Sequence, residues 1–155
     1  HPGVVETVYP TLLDFPPPAL RSYPPEAAIA EKVEAMLHLG ELNSRMKDFY
    51  DVWRLSRLLS FDARILCEAI RATLENRKTD VVAFKELQQE LLGSAGKQAQ
   101  WTAFLKNAGV AGPDSFTDLL DSLGLFLSPM LDAIESREIL EGNWSASGAW
   151  ELKLK

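Results

Sequence analysis

The stretch Ala28-Ile29-Ala30-Glu31-Lys32-Val33-Glu34-Ala35-Met36-Leu37 decides the fold class, because its apolar side chains recur with the period of a helix. The apolar positions Ile29, Val33, Met36 and Leu37 follow the spacing i, i+4, i+7, i+8 that forms one face of a helix. Pro25 suits the first helical position and Gly40 suits the end. We therefore predict a helix over residues 26–39 with one buried face.

Further helical segments follow this one along the chain. Their spacing and capping residues predict helices over about 43–59, 62–76, 84–92, 97–108 and 114–138. The helix over 62–76 is expected to bury the apolar residues Ile65, Leu66, Ala69, Ile70 and Leu74. In the last helix, Gly124 and Pro129 are expected to interrupt the regular structure, with a kink near Ser128.

The two ends of the chain differ from this helical middle. Residues 4–8, Val-Val-Glu-Thr-Val, predict a short strand, and the proline-rich residues 10–25 predict an extended connector. An isolated strand cannot satisfy its own backbone hydrogen bonds, so a partner sheet is implied. The fold class predicted is mainly α. Its parts are a strand and connector over 1–24, a helical domain over 25–138, and a loop-like tail over 139–155 that Trp144 and Trp150 pin to the body.

Composition excludes several classes of protein. Hydrophobic residues make up 46% and charged residues 25%, as in a soluble globular domain, and no apolar run is long enough to span a membrane. The net charge of −6 argues against broad binding to nucleic acid. One cysteine, Cys67, excludes an internal disulfide and is expected to be buried, and with two histidines it offers too few ligands for a structural zinc site. We expect a cytoplasmic protein.

Charged residues recur at the start of the second predicted helix, in Asn43-Ser44-Arg45-Met46-Lys47-Asp48-Phe49-Tyr50-Asp51-Val52. Arg45, Asp48 and Asp51 stay near one edge of a helix, where they could hydrogen-bond a ribose or base and orient a cation that binds phosphate. The alternative is structural: acidic residues favour a helix start, and Lys47 and Asp51 form an ordinary i, i+4 pair.

Lys32 also has two interpretations. It lies at the border of the buried stripe, where a lysine can extend its ammonium to solvent while its stem stays packed. It could instead point into a cleft and neutralise a triphosphate. No other catalytic pattern is present, since the sequence contains no glycine-rich phosphate loop, GxSxG or HExxH.

Several motifs in order resemble the AbiEii/AbiGii toxin family of nucleotidyltransferases: Tyr9-Pro10-Thr11-Leu12-Leu13-Asp14, Tyr23-Pro24-Pro25-Glu26, Ile29-Ala30-Glu31-Lys32, and the stretch over 43–52. The resemblance implies that Lys32 contacts the phosphates of the incoming nucleotide. It also implies that Asp48 and Asp51 belong to the nucleotide site and that Arg45 and Lys47 shape it. Arg45 stands where the family usually has a lysine.

The resemblance also implies cofactors and partners. Such enzymes resemble DNA polymerase β-type nucleotidyltransferases, use Mg²⁺ with an NTP, and in toxin members add nucleotides to the acceptor end of tRNA. They usually pair with an antitoxin. The strand over 4–8 is then expected to be left over from the α/β sheet of the nucleotidyltransferase core.

One family motif is absent, because no Asp-x-Asp pair occurs between His1 and Lys155. Two-metal phosphoryl transfer needs carboxylates that hold both ions. We therefore expect a carboxyl-terminal fragment that is inactive alone, holds neither Mg²⁺ nor NTP, and needs a missing amino-terminal half as its partner. We expect no catalytic or metal-binding residue in it. The competing hypothesis is a non-enzymatic helical interaction module, which is favoured if Lys32 and the two aspartates lie on different faces.

Overall fold

The computed structural model describes residues 23–146 and 148–153, so the predicted strand over 4–8 and most of the connector lie outside the described residues. The helices in this part are α1 (Pro25–Leu39), α2 (Met46–Leu58), α3 (Ala63–Arg77), α4 (Phe84–Leu92), α5 (Lys97–Ala108) and α6 (Phe116–Ser136). A 3₁₀ turn (Gly40–Leu42) joins α1 to α2. The strands are β1 (Phe61–Asp62), β2 (Gly142–Ser145) and β3 (Ala149–Leu152). The predicted mainly α fold is confirmed.

Local chemistry explains where the helices begin and end. Pro25 occupies the first turn of α1, where its missing N–H is not needed. The Asp62 carboxylate accepts a hydrogen bond from the amide of Ile65 at 3.1 Å and caps α3. The Ser115 hydroxyl caps α6 by accepting from the amide of Asp118 at 3.0 Å. Each of the six predicted helices is present in the structure, and its ends differ from the predicted ones by at most a few residues.

The helices pack around one hydrophobic core. Helix α1 lies against α3 and α2, and α6 contacts α2, α3, α4 and α5. The largest side chains that are fully buried include Ile29, Met36, Phe49, Phe84, Trp101, Phe116 and Phe126. The stripe predicted for α1 is buried at Ile29, Val33 and Met36, and Leu37 packs against its edge. This packing brings the middle of α1 against the first turns of α2.

The burial predicted for α3 is partly wrong. Leu66, Ile70 and Leu74 are buried and Ala69 packs against the core, but Ile65 is 57% exposed. Leu66, Ile70 and Leu74 follow an i, i+4, i+8 spacing that defines the buried face, and Ile65 lies about 100° around the helix from Leu66. The side chain of Ile65 therefore faces solvent beside the start of the helix.

The predicted interruption of the last helix is also wrong, because α6 runs without a break through Gly124 and Pro129. A Cβ at Gly124 would lie 3.3 Å from the ring of Phe84, so the glycine allows α4 to approach closely. Pro129 cannot donate to the carbonyl of Leu125, which lies on the exposed side of the helix, where Leu125 is 66% exposed.

The carboxyl-terminal tail is a β-hairpin, which corrects the prediction of a loop. Strand β2 pairs antiparallel with both β1 and β3, and Trp144 lies opposite Phe61 on one side and Trp150 on the other. The indole of Trp144 donates to the carbonyl of Ser56 at 2.7 Å, and that of Trp150 donates to the carbonyl of Phe126 at 2.9 Å. The prediction that both tryptophans pin the tail to the body is confirmed.

Two further expectations concern Cys67 and membranes. Cys67 is buried between α3 and α6, as predicted, and its thiol lies 3.7 Å from the carbonyl of Met130. Among the residues described, no helix combines the length and the apolar character that crossing a membrane requires.

Candidate functional site

The five residues singled out in the sequence lie together where α1 packs against the start of α2. The Lys32 ammonium of α1 is 3.0 Å from Oδ2 of Asp51 and 3.5 Å from Oδ1 of Asp48. Arg45 lies close to the Asp48 carboxylate, and Lys47 lies close to that of Asp51. These five residues are called the charged cluster below. The structure thus brings Lys32 and both aspartates to one place and not to different faces.

The centre of the charged cluster is buried. Lys32 is 8% exposed, Asp48 is 2% exposed and Asp51 is fully buried. A lysine that extended to solvent would show an exposed ammonium, so that interpretation of Lys32 is wrong. Charged groups are removed from water only when opposite charges compensate them, and here one ammonium lies between two carboxylates.

The rim of the charged cluster is cationic. Nε of Arg45 lies 3.4 Å from Oδ2 of Asp48, and Nζ of Lys47 lies 3.7 Å from Oδ1 of Asp51. The Arg45 side chain is 67% exposed and that of Lys47 is 32% exposed, whereas the aspartates lie beneath them. An anionic ligand that approaches from solvent would meet the Arg45 guanidinium first, because the Lys47 ammonium itself is buried.

Two residues beside the cluster were not identified as site residues from the sequence. Asn43 is fully buried before α2, and its side-chain oxygen accepts a hydrogen bond from the amide of Arg45 at 2.7 Å. Its backbone carbonyl accepts from the ammonium of Lys97, the first residue of α5, at 2.6 Å. The second helix was predicted to begin at about residue 43, but α2 begins only at Met46. No sequence signal separates Lys97 from an ordinary surface lysine.

A second network fixes the opposite side of α1. Arg77 at the end of α3 lies 2.6 Å from Oε1 of Glu31 and 3.5 Å from Oε1 of Glu34. The Thr79 hydroxyl donates to Oε2 of Glu34 at 2.6 Å. Burial and the nearby Glu31 carboxylate raise the pKa of Tyr23. Together with the packing of α1 on α3, these contacts set the rotation of α1 that turns Lys32 towards α2.

The described residues do not fit a magnesium site. Mg²⁺ binds carboxylate and water oxygens, but Asp48 and Asp51 each already contact two cationic side chains. A divalent cation at these oxygens would face the Lys32 ammonium at close range. In the part of the chain that the structure describes, no group of three His, Cys, Asp or Glu side chains could hold a metal ion.

A groove of about 970 Å³ lies on another face, between α3 and the end of α6. Cys67, Leu74, Ile134 and Leu140 are among its lining residues, and it contains none of the charged cluster. Its charged walls carry both signs, including Arg71, which is paired with Glu68 and Glu75 of its own helix. The groove is therefore separate from the candidate site.

Comparison with known proteins identifies the family. The model of the family described as "nucleotidyl transferase AbiEii toxin, Type IV TA system" matches residues 1–122, which include the whole charged cluster and Lys97. No curated protein and no solved structure matches the chain. Because the family is one of toxins from toxin–antitoxin systems, membership implies a cognate antitoxin as a partner. The match covers well over half of the 155 residues, and the chain belongs to the AbiEii nucleotidyl transferase toxin family.

Proposed function

We propose that this chain is the helical, nucleotide-binding part of a cytoplasmic AbiEii-type nucleotidyltransferase. Its reaction is the transfer of a nucleotide from an NTP to an acceptor such as the 3′ end of a tRNA, which makes it a candidate toxin. The observation that supports this most directly is the meeting of Lys32 with Asp48 and Asp51. Residues within the range matched by the family, carried by two different helices, share one charged cluster within 3.5 Å.

The positions of the charges suggest a division of roles. Arg45 at the exposed rim attracts the triphosphate, and the buried ammonium groups of Lys47 and Lys32 behind it supply compact charges to the phosphate oxygens. Asp51 and Asp48 hold these cations in place while the site is empty. When phosphate oxygens arrive they compete with the carboxylates for the ammonium, which leaves the carboxylates able to accept hydrogen bonds from ribose or base.

Magnesium has to be held elsewhere. In the full-length enzyme Mg²⁺ would neutralise charge on the phosphates, but the charged cluster is already occupied by cations and the 155 residues contain no Asp-x-Asp pair. We therefore propose that the metal-binding carboxylates come from an amino-terminal nucleotidyltransferase half that precedes these residues in the natural protein. On its own, this chain is expected to transfer no nucleotide.

A non-enzymatic interaction module is the second candidate. It is favoured by one observation, the nearly complete burial of Lys32 and the two aspartates, which is also what a purely structural ion-pair network between α1 and α2 would show. In that case the charged cluster stabilises the fold and binds no nucleotide.

Nucleotide transfer by the natural protein separates the two candidates. The longest reading frame that contains this chain is incubated with labelled NTPs, Mg²⁺ and total tRNA, beside Lys32→Ala and Arg77→Met variants. Arg77 is the matched control, because it also ties α1 to a neighbouring helix through carboxylates but lies outside the cluster. If the proposal is correct, the parent and Arg77→Met proteins transfer nucleotide and the Lys32→Ala protein does not. Equal transfer by all three removes Lys32 from the site, and no transfer by the parent supports the interaction module.

A further inference from the structure

Lys97 is a buried cation in a locally unfavourable place. It is the first residue of α5 and is 5% exposed. The start of a helix carries a partial positive charge, which disfavours an ammonium there, and the first turn of α5 contains no acidic residue. Within residues 23–146 and 148–153, no carboxylate forms an ion pair with Lys97. The buried position of the Lys97 ammonium must therefore be explained by its other contacts.

The contact of Lys97 is with the residue that precedes the charged cluster. Its ammonium donates to the carbonyl of Asn43 at 2.6 Å, a charge-assisted hydrogen bond. The Asn43 side chain in turn accepts from the amide of Arg45 at 2.7 Å. Asn43 is thus held through both its backbone and its side chain, directly before the chain enters α2.

The same chain of contacts continues into the charged cluster. Arg45 lies against Asp48 at 3.4 Å, and Asp48 lies 3.5 Å from the ammonium of Lys32. We propose that Lys97 is a positioning residue of the nucleotide site: it fixes Asn43 and thereby the direction in which Arg45 projects from the start of α2. This inference rests on the proposed function, because it assigns Lys97 to the same nucleotide site.

A simpler role for Lys97 would be to tie α5 to α2 without any effect on the site. The two roles differ in what the loss of Lys97 changes. A structural tie affects the amount of folded protein and leaves the KM for NTP as it was, since KM does not depend on enzyme concentration. A positioning residue changes KM, because the Arg45 guanidinium is no longer held where the phosphates bind.

The test measures KM for NTP in the natural full-length protein. Lys97→Met removes the ammonium and keeps the apolar stem, and Lys106→Met is the control on the exposed side of the same helix. We expect Lys97→Met to raise KM about 10-fold, by analogy with groups that orient metal ligands, whose loss costs about 10-fold or more. Lys106→Met should leave KM unchanged. In the background of Arg45→Met, the change at Lys97 should have no further effect.

The inference is wrong if Lys97→Met leaves the KM for NTP unchanged. It is also wrong if Lys97→Met still raises KM about 10-fold in the Arg45→Met background. Lys97→Gln, which keeps a hydrogen-bond donor, replaces Lys97→Met if the latter does not fold, and the same two results decide. The Lys32→Ala variant keeps the two proposals apart. If the parent protein transfers no nucleotide, the proposed function fails, and if Lys32→Ala transfers as well as the parent, Lys32 does not belong to the nucleotide site. If only Lys32→Ala is impaired, the nucleotide site stands and the role of Lys97 fails.

Discussion

At the scale of single residues, the position of Lys32 is the central feature of this protein. Its ammonium lies within 3.5 Å of two buried carboxylates that belong to another helix. Removing one partner of a buried ion pair leaves an uncompensated charge, which destabilises a fold far more than the loss of a surface pair. The charged cluster should therefore matter for stability even where no nucleotide is present.

Replacing Lys32 by methionine should lower the free energy of unfolding by about 3–5 kcal/mol, since Asp48 and Asp51 lose the cation between them. Urea denaturation of the 155-residue chain measures this. Arg45→Met is the control, because the Arg45 side chain is 67% exposed and its pair with Asp48 at 3.4 Å should contribute about 1 kcal/mol or less. Similar losses in the two variants would show that the burial of Lys32 is not as described.

Cys67 makes a second prediction at this scale. Burial raises the pKa of its thiol, with a smaller contribution in the same direction from Glu68. The reactive thiolate is therefore scarce in the folded protein at pH 8, and its reaction with a disulfide reagent should be at least about 100-fold slower than in urea. Because burial raises this pKa, the rate in the folded state should still be rising with pH at 9.0, the ordinary pKa of a cysteine thiol. Equal rates in the folded and unfolded states would contradict this.

Sequence patterns located these residues but did not determine their environment. The spacing of Ile29, Val33 and Met36 placed Lys32 at the border of the buried stripe, and the resemblance to the family singled out Asp48 and Asp51. A helical pattern gives an angle around one helix and says nothing of which neighbour lies there. The contact of Lys97 with Asn43 spans 54 positions of sequence, so no local pattern could reveal it.

At the scale of elements, the carboxyl-terminal hairpin completes the core although all of it lies beyond the matched residues 1–122. The rings of Phe126 and Trp144 have centroids 4.8 Å apart, and those of Phe126 and Trp150 are stacked at 5.9 Å. The hairpin therefore covers one side of α6 and holds the end of α2 through Ser56.

Trp144→Phe should destabilise the protein by about 1–3 kcal/mol, because the buried carbonyl of Ser56 loses its donor at 2.7 Å. Thermal or urea unfolding measures the loss. Leu152→Ala serves as the control, since Leu152 is 37% exposed in the same hairpin and its replacement should change stability by less than about 1 kcal/mol. A silent Trp144→Phe variant would contradict the anchoring role of the indole.

The strands were missed because their sequence lacks the usual strand pattern. The segment from Gly142 is rich in glycine, serine and alanine, and the strands are four residues long, so it matches a loop in composition. The pairing is stabilised by tryptophans packed on residues distant in sequence. Such tertiary contacts override local propensity. The helices, by contrast, carry a strong periodic pattern and were predicted within a few residues.

At the scale of the whole molecule, the mainly α fold follows from local periodicity, whereas the candidate site depends on how the helices pack. Arg77 and its glutamates on one side of α1, and the charged cluster on the other, fix the rotation of that helix. The sequence supplied the members of the site. The packing of α1 between α2 and α3 brings them together, and this packing was not predictable from spacing alone.

The most direct test of the account is the KM for NTP in the natural full-length enzyme with Lys32→Met or Arg77→Met. Each change removes a cation that joins α1 to another helix, but only Lys32 belongs to the charged cluster. Lys32→Met should raise KM at least about 100-fold, because a charge-assisted contact of roughly 3 kcal/mol to the phosphates is lost. Arg77→Met should keep the parent value. Equal KM values for the two variants would contradict the assignment of Lys32 to a nucleotide site.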